Sequence, residues 1–221
     1  MELKKKSWND ITINDYFEIQ ETMKDETLEP ADKEVRLIAL LCGVDIDDIW
    51  SLPITEFKKI QNGTLWLATP TLKPIEKVKY KNIDINGMKC KVDTDLTKFT
   101  VAQYIDFQAL FAKKDEKNGL ASLLTCFIIP QGKEYNTGYD ISELRDDIMS
   151  YLDIQTAYQI VGFFLLRWLD STHRSLNFLK QMIKKNKKKM TQEEFSQRTK
   201  EAENLEKTIS DGFNLLIGYQ I

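Results

Sequence analysis

Few side chains in this sequence suit covalent or acid–base chemistry, and their spacing argues against most of it. His173 is the sole histidine. It falls between Asp170 and Arg174 with no cysteine near it in sequence, where a lone imidazole reads as a surface or structural group rather than a general base. The cysteines are Cys42, Cys90 and Cys126. An odd number at wide intervals fits neither zinc-ligand spacing nor a disulfide framework, so free, buried thiols in a reducing compartment are expected. Carboxylates cluster at Asp45, Asp47 and Asp48 and again at Asp146 and Asp147. Either set has the oxygen chemistry of a hard-cation site, but neither has EF-hand spacing, and both fit helix N-termini, where the dipole favours negative charge. The nine glycines are scattered, and no phosphate-cradling G-x-x-x-x-G-K-[ST] or G-x-G-x-x-G is present. The expectation is a non-enzymatic protein with no catalytic residues, metal or cofactor.

Binding chemistry is better represented. The formal net charge is −3, so affinity for a polyanion has to come from a local patch. Six lysines fall within Lys180–Lys189. Lys184, Lys185, Lys187, Lys188 and Lys189 are the candidate contact to a phosphate backbone, non-specific and salt-sensitive. The competing reading is a solvated linker neutralised by Glu193, Glu194, Glu201, Glu203 and Glu206. No aromatic residues interleave with the lysines, which argues against stacking on single strands. Phe213, Leu215, Leu216 and Ile217 form an apolar terminus that either folds back onto its own core or docks into a neighbouring subunit.

These groups need elements to position them. The chain has 221 residues, 42% hydrophobic and 29% charged, ordinary values for a chain with a real core. Its longest apolar stretch, 160–166, falls short of the roughly 20 residues a membrane span needs, and residues 1–10 are polar with no apolar h-region, so no secretory signal is expected there. Apolar spacing of three and four predicts helices over 8–20, capped by Thr12, and 32–44, ended at Gly43. A short helix follows Asp47 and Asp48, and another spans 54–60 behind Pro53. The period then changes to two over 78–92, around Asn86-Gly87, the strongest short hairpin signal. Helical spacing resumes at Thr100, which with Gln103 forms a capping-box pattern. Its expected apolar face is Val101, Tyr104, Ile105, Phe107 and Leu110. Residues 120–129 read as a buried helix closed by Pro130, then come a loop, a helix over 142–151 and a long helix over 154–185 with core residues Val161, Phe163, Phe164, Leu166, Trp168 and Leu169. Thr191 and Glu194 open a charged helix to about residue 210.

Two stretches repeat. Thr12-Ile13-Asn14-Asp15-Tyr16-Phe17-Glu18-Ile19-Gln20 aligns with Thr100-Val101-Ala102-Gln103-Tyr104-Ile105-Asp106-Phe107-Gln108. Leu40-Leu41-Cys42 is echoed at Leu123-Leu124-Thr125-Cys126, and Asp47-Asp48-Ile49-Trp50-Ser51 at Asp146-Asp147-Ile148-Met149-Ser150. The order is kept while loop lengths drift, which fits two copies of one helical module. The expected fold is mainly α (α+β). Its parts are a first module at 1–62, a β-hairpin insertion at 63–98, a second module at 99–180 and a C-terminal helical extension at 181–221.

Three segments carry a family resemblance: 32–50, 91–108 with its TVAQYIDFQ string, and 123–139, LLTCFIIPQGKEYNTGY. They are similar to a protein encoded among the virion genes of crAss-like bacteriophages, over most of residues 10–185. The resemblance supplies no catalytic motif. It implies a virion protein assembled in the host cytoplasm, a structural component of the portal–tail region acting as a ring protein or packaged cargo. Its implied partners are portal, ring or tail proteins, with self-association and contact to packaged DNA, and no membrane. The alternative is a tail assembly chaperone absent from the mature particle.

Overall fold

The computed structural model describes residues 1–68, 81–93, 95–113, 116–186 and 190–218, setting aside the side chains of 96, 112, 113, 116–118, 208, 209 and 211–218. Residues 78–80 of the expected β run, and 69–77 of the expected insertion, lie outside the described residues. Helices dominate: α1 (Ile13–Lys24), α2 (Pro30–Cys42), α3 (Ile46–Trp50), α4 (Ile54–Asn62), α5 (Val101–Lys113), α6 (Glu116–Thr125), α7 (Ile141–Tyr151), α8 (Ile154–Asn186) and α9 (Gln192–Gly218). One small antiparallel sheet, β1 (Asn82–Ile85), β2 (Met88–Val92) and β3 (Ile128–Pro130), is ordered β1-β2-β3. The protein is therefore mainly α with a small β component, as expected.

Local chemistry accounts for most element boundaries. The Thr12 hydroxyl accepts from the Asp15 N–H at 3.2 Å while the Asp15 carboxylate accepts from the Thr12 N–H at 3.0 Å, a reciprocal capping box at the start of α1. Thr100 with Gln103 and Thr191 with Glu194 repeat the arrangement before α5 and α9. Gly43 ends α2 at φ +61°, a left-handed conformation that costs an L side chain free energy. The β1–β2 turn is Asn86-Gly87, with φ of +52° and +78°, the positive pair a type I′ turn requires.

One expected element changes type. The helix ends at Thr125, where Cys126 and Phe127 donate to the Leu123 and Leu124 carbonyls in a tightened last turn. The chain then extends as β3, with Val92 opposite Ile128 and Cys90 opposite Pro130. A short apolar run has no period that separates strand from buried helix. Proline, which cannot donate, is placed here on an edge strand. The charged last helix also runs past residue 210, to Gly218.

One main core joins α1, the sheet, α5, α6, α7 and the first half of α8. A smaller cluster of Val35, Ile38, Ala39, Cys42, Ile49 and Ile60 joins α2, α3 and α4, and Leu3 packs against both. The chain is drawn together at residues 11–13, where Ile13 donates to the Leu152 carbonyl and Ile154 to the Ile11 carbonyl. That pairing sets α1 against the joint between α7 and α8. At 1.5 Å per residue, α8 is about 50 Å long. Its first half is buried, while beyond Thr172 it packs mainly on α9, with Leu176 and Ala202 buried between them. Of the core expected on α8, Val161, Phe164, Trp168 and Leu169 are buried, Phe163 is half-buried and Leu166 is exposed.

Candidate functional site

The groups with chemical potential are held in inert settings. His173 is exposed on α8. All three cysteines are free and buried. Burial pushes the Cys90 thiol up to about 11, with Asp84 and Asp147 adding to the rise. Burial also pushes Cys126 up to about 12, against a smaller downward pull from Tyr135. Both thiols are protonated near neutrality, so neither is an activated nucleophile. Tyr135 donates to the Asp106 carboxylate at 2.8 Å, and burial raises its phenol too. This contact ties the 131–139 loop to α5.

The sequence-derived contact residues divide between described and undescribed positions. Lys184 and Lys185 are exposed in the last turn of α8, where the helix dipole favours cations. Lys187, Lys188 and Lys189 lie outside the described residues. Lys180, one turn back, is paired with Glu206 of α9, so part of the run is neutralised within the hairpin. Phe213, Leu215, Leu216 and Ile217 are in α9, and their side chains lie outside the described set.

Helix α5 corrects the expected apolar face. Phe107 is fully buried, in edge-on contact with Phe164 at 4.8 Å and Trp168 at 5.4 Å. The residue one turn before it on the same face is Gln103, 4% exposed, whose amide donates to the Cys126 carbonyl at 3.2 Å. Gln103 is thus both the capping-box partner of Thr100 and the tether to α6. With 103 and 107 turned inward, positions 101, 105 and 108 face away, because the helix turns 3.6 residues per revolution. Val101 is 77% exposed, Ile105 56% and Tyr104 43%. The result is an outward apolar stripe. Binary pattern alone assigned it to the core, and the signal missed was the buried glutamine.

A second surface lies between α1, α2 and α3. It is an open groove of about 1130 Å³ whose apolar lining includes Leu28, Leu40, Val44 and Ile46. It is also lined by Glu18, Glu21, Asp25, Asp45, Asp47 and Asp48. Two cations, Lys5 and Arg36, also line it, and Lys5 is held at 2.6 Å by Asp15. Hydrogen bonds from Thr27 keep the Asp25 carboxyl below its ordinary value. Sequence reading found the Asp45–Asp48 cluster but not its union with the far end of α1, which only the α1–α2 packing creates. Among the described residues, no group of three or more His, Cys, Asp or Glu is arranged to hold a metal, and no helix is long and apolar enough to cross a membrane.

Fold and surfaces together define a mainly helical protein with a small antiparallel sheet, a helical hairpin, an outward apolar stripe on α5 and an acidic groove between α1, α2 and α3. Compared with known protein families, with curated proteins and with solved structures, the chain matches none of them.

Proposed function

We propose that the chain is a non-enzymatic structural component of a bacteriophage particle, seated in the portal–tail region as a ring protein or packaged cargo and working through protein–protein contacts. The observation that carries the protein-contact part is the α5 stripe of Val101, Tyr104 and Ile105, three large apolar side chains held outward on a helix anchored by Gln103 and Phe107. Contiguous exposed apolar surface of this kind marks interaction sites. The particle assignment rests on the resemblance of residues 32–50, 91–108 and 123–139 to the crAss-like phage virion protein. The protonated thiols and the exposed His173 agree with a role that needs no nucleophile or general base.

Quantitative mass spectrometry of purified, DNA-filled particles tests the proposal. The expected result is stoichiometric presence. A copy number in simple ratio to the portal marks a ring protein, and a larger, unrelated number marks packaged cargo. Absence from the particle, with abundance in the infected-cell lysate, would overturn the proposal in favour of an assembly chaperone.

A further inference from the structure

The acidic groove and the basic end of the helical hairpin belong to different parts of one chain and have complementary chemistry. The groove is lined by six carboxylates and two cations, one of them held by Asp15, beside Leu28, Leu40, Val44 and Ile46, and it stays predominantly acidic with Lys4 on the Gly43 carbonyl at 3.3 Å and Lys33 near Asp25. Its opening suits a protruding element better than a small enclosed ligand. The end of the hairpin presents Lys184 and Lys185, both exposed, in a sequence that adds three lysines and no acidic residue before Thr191. Half-buried Met182 lies in the last turns of α8 beside Lys184 and Lys185, while half-buried Ile183 packs against the main core. A predominantly acidic groove with apolar lining residues and a lysine-bearing helix end with a half-buried methionine in its last turns match in charge and in apolar content, the pairing by which amphipathic helices enter grooves.

We propose that the groove between α1, α2 and α3 receives the lysine-bearing end of α8 from a second copy of this chain. The two surfaces are different patches of the molecule, so the contact is heterologous. Repeating it builds a closed ring or an open chain, not a two-fold dimer. The proposal deepens the structural role proposed above by naming a self-assembly contact, yet its chemistry does not depend on the particle. It also gives the lysine run an occupation other than DNA.

Purified full-length chain tests this directly by sedimentation velocity. Assembly beyond the monomer is expected at ionic strength on the order of 0.01 M, where charges interact over about 30 Å. It should reverse near about 1 M, where that range falls to about 3 Å. A groove variant, Glu18→Lys with Asp48→Lys, and an end variant, Lys184→Gln with Lys185→Gln, should each be monomeric at low salt with an unchanged circular dichroism spectrum. Mixing them is the decisive arm. The groove variant keeps a working helix end and the end variant keeps a working groove, so an equimolar mixture should stop at a one-to-one dimer. A wild-type chain that stays monomeric at low salt overturns the inference, as do folded variants that assemble like wild type or a mixture that fails to pair. Failure here leaves the particle proposal standing, and absence from particles leaves this contact standing, so the two are separable.

Discussion

Helix α1 buries Ile13 and Tyr16, whereas α5 exposes the aligned Val101 and Tyr104. The two helices share a capping threonine, a capping-box partner three residues on and a buried large apolar residue seven residues on, Ile19 or Phe107. Their surroundings differ. Around α1, Trp8 packs edge-on against Tyr16 at 6.1 Å and Trp66 against Trp8 at 5.3 Å, while the 11–13 pairing brings the start of α8 alongside. The inward face of α5 is set by Gln103 and the Phe107 aromatic cluster, and nothing among the described residues buries the other side. Two similar helical stretches can therefore serve as an interior element and as a display surface, depending on what the chain supplies next to each.

The largest effect should come from the anchor the two helices share. Phe107→Ala should lower unfolding free energy by about 3–5 kcal/mol and Ile19→Ala by about 2–5 kcal/mol, the usual range for large-to-small core changes. Urea denaturation reads both. A Phe107→Ala loss below about 1 kcal/mol would remove Phe107 from the core and break the correspondence at its firmest point.

The contrast itself is tested at the first helical position. Ile13→Ala should cost about 2–5 kcal/mol, while Val101→Ala should stay within about 0.5 kcal/mol, because Val101 is already in water. Equal losses at the two sites would mean that α5 is covered in solution.

How far these differences were legible in the sequence follows from the physics of each signal. Local signals were readable: the Thr12 cap, the Thr100 and Thr191 capping boxes, the Asn-Gly turn, Gly43 as a helix terminator and the long α8. They depend on neighbours a few residues apart. What failed needed distant partners. Residues 128–130 become strand because β2 offers its edge, and no window over that run contains β2. The α5 stripe was assigned inward because apolar residues at helical spacing usually are. The buried Gln103 overrides that pattern, and its amide needs the Cys126 carbonyl 23 residues away. The acidic groove likewise exists only once α1 packs on α2.

A smaller effect separates the matching thiols, Cys42 in the first stretch and Cys126 in the second. Burial raises both, but Lys4 and the N-terminal amine pull Cys42 back down, while Cys126 rises to about 12. Above the ordinary thiol value of 9.0 the unfolded chain loses protons that the folded chain keeps, so stability falls as pH rises. Its contribution is complete below pH 9 and declines by roughly 1.4 kcal/mol per pH unit for one thiol between its unfolded and folded values. Between pH 9 and 10, Cys126→Ala should flatten the measured decline by about that slope, and Cys42→Ala by less. A profile that Cys126→Ala leaves unchanged would show that this thiol ionises normally in the fold.

The smallest difference is expected at the caps, where the two helices are most alike. Thr12→Ala and Thr100→Ala each remove a hydroxyl that accepts from the third helical N–H at 3.2 Å. Each should cost about 1 kcal/mol, with the two losses within roughly 0.5 kcal/mol of each other. The partner side chains differ: Asp15 also holds Lys5, and Gln103 also holds the Cys126 carbonyl. Removing the threonine leaves both of those contacts in place, so it isolates the hydroxyl-to-backbone bond that the helices have in common. Near-equal losses would locate their divergence beyond the first turn, in the side chains that meet the rest of the protein. A Thr100→Ala loss larger by more than about 1 kcal/mol would show instead that this cap also holds Gln103 in place, and with it the outward turn of Val101, Tyr104 and Ile105.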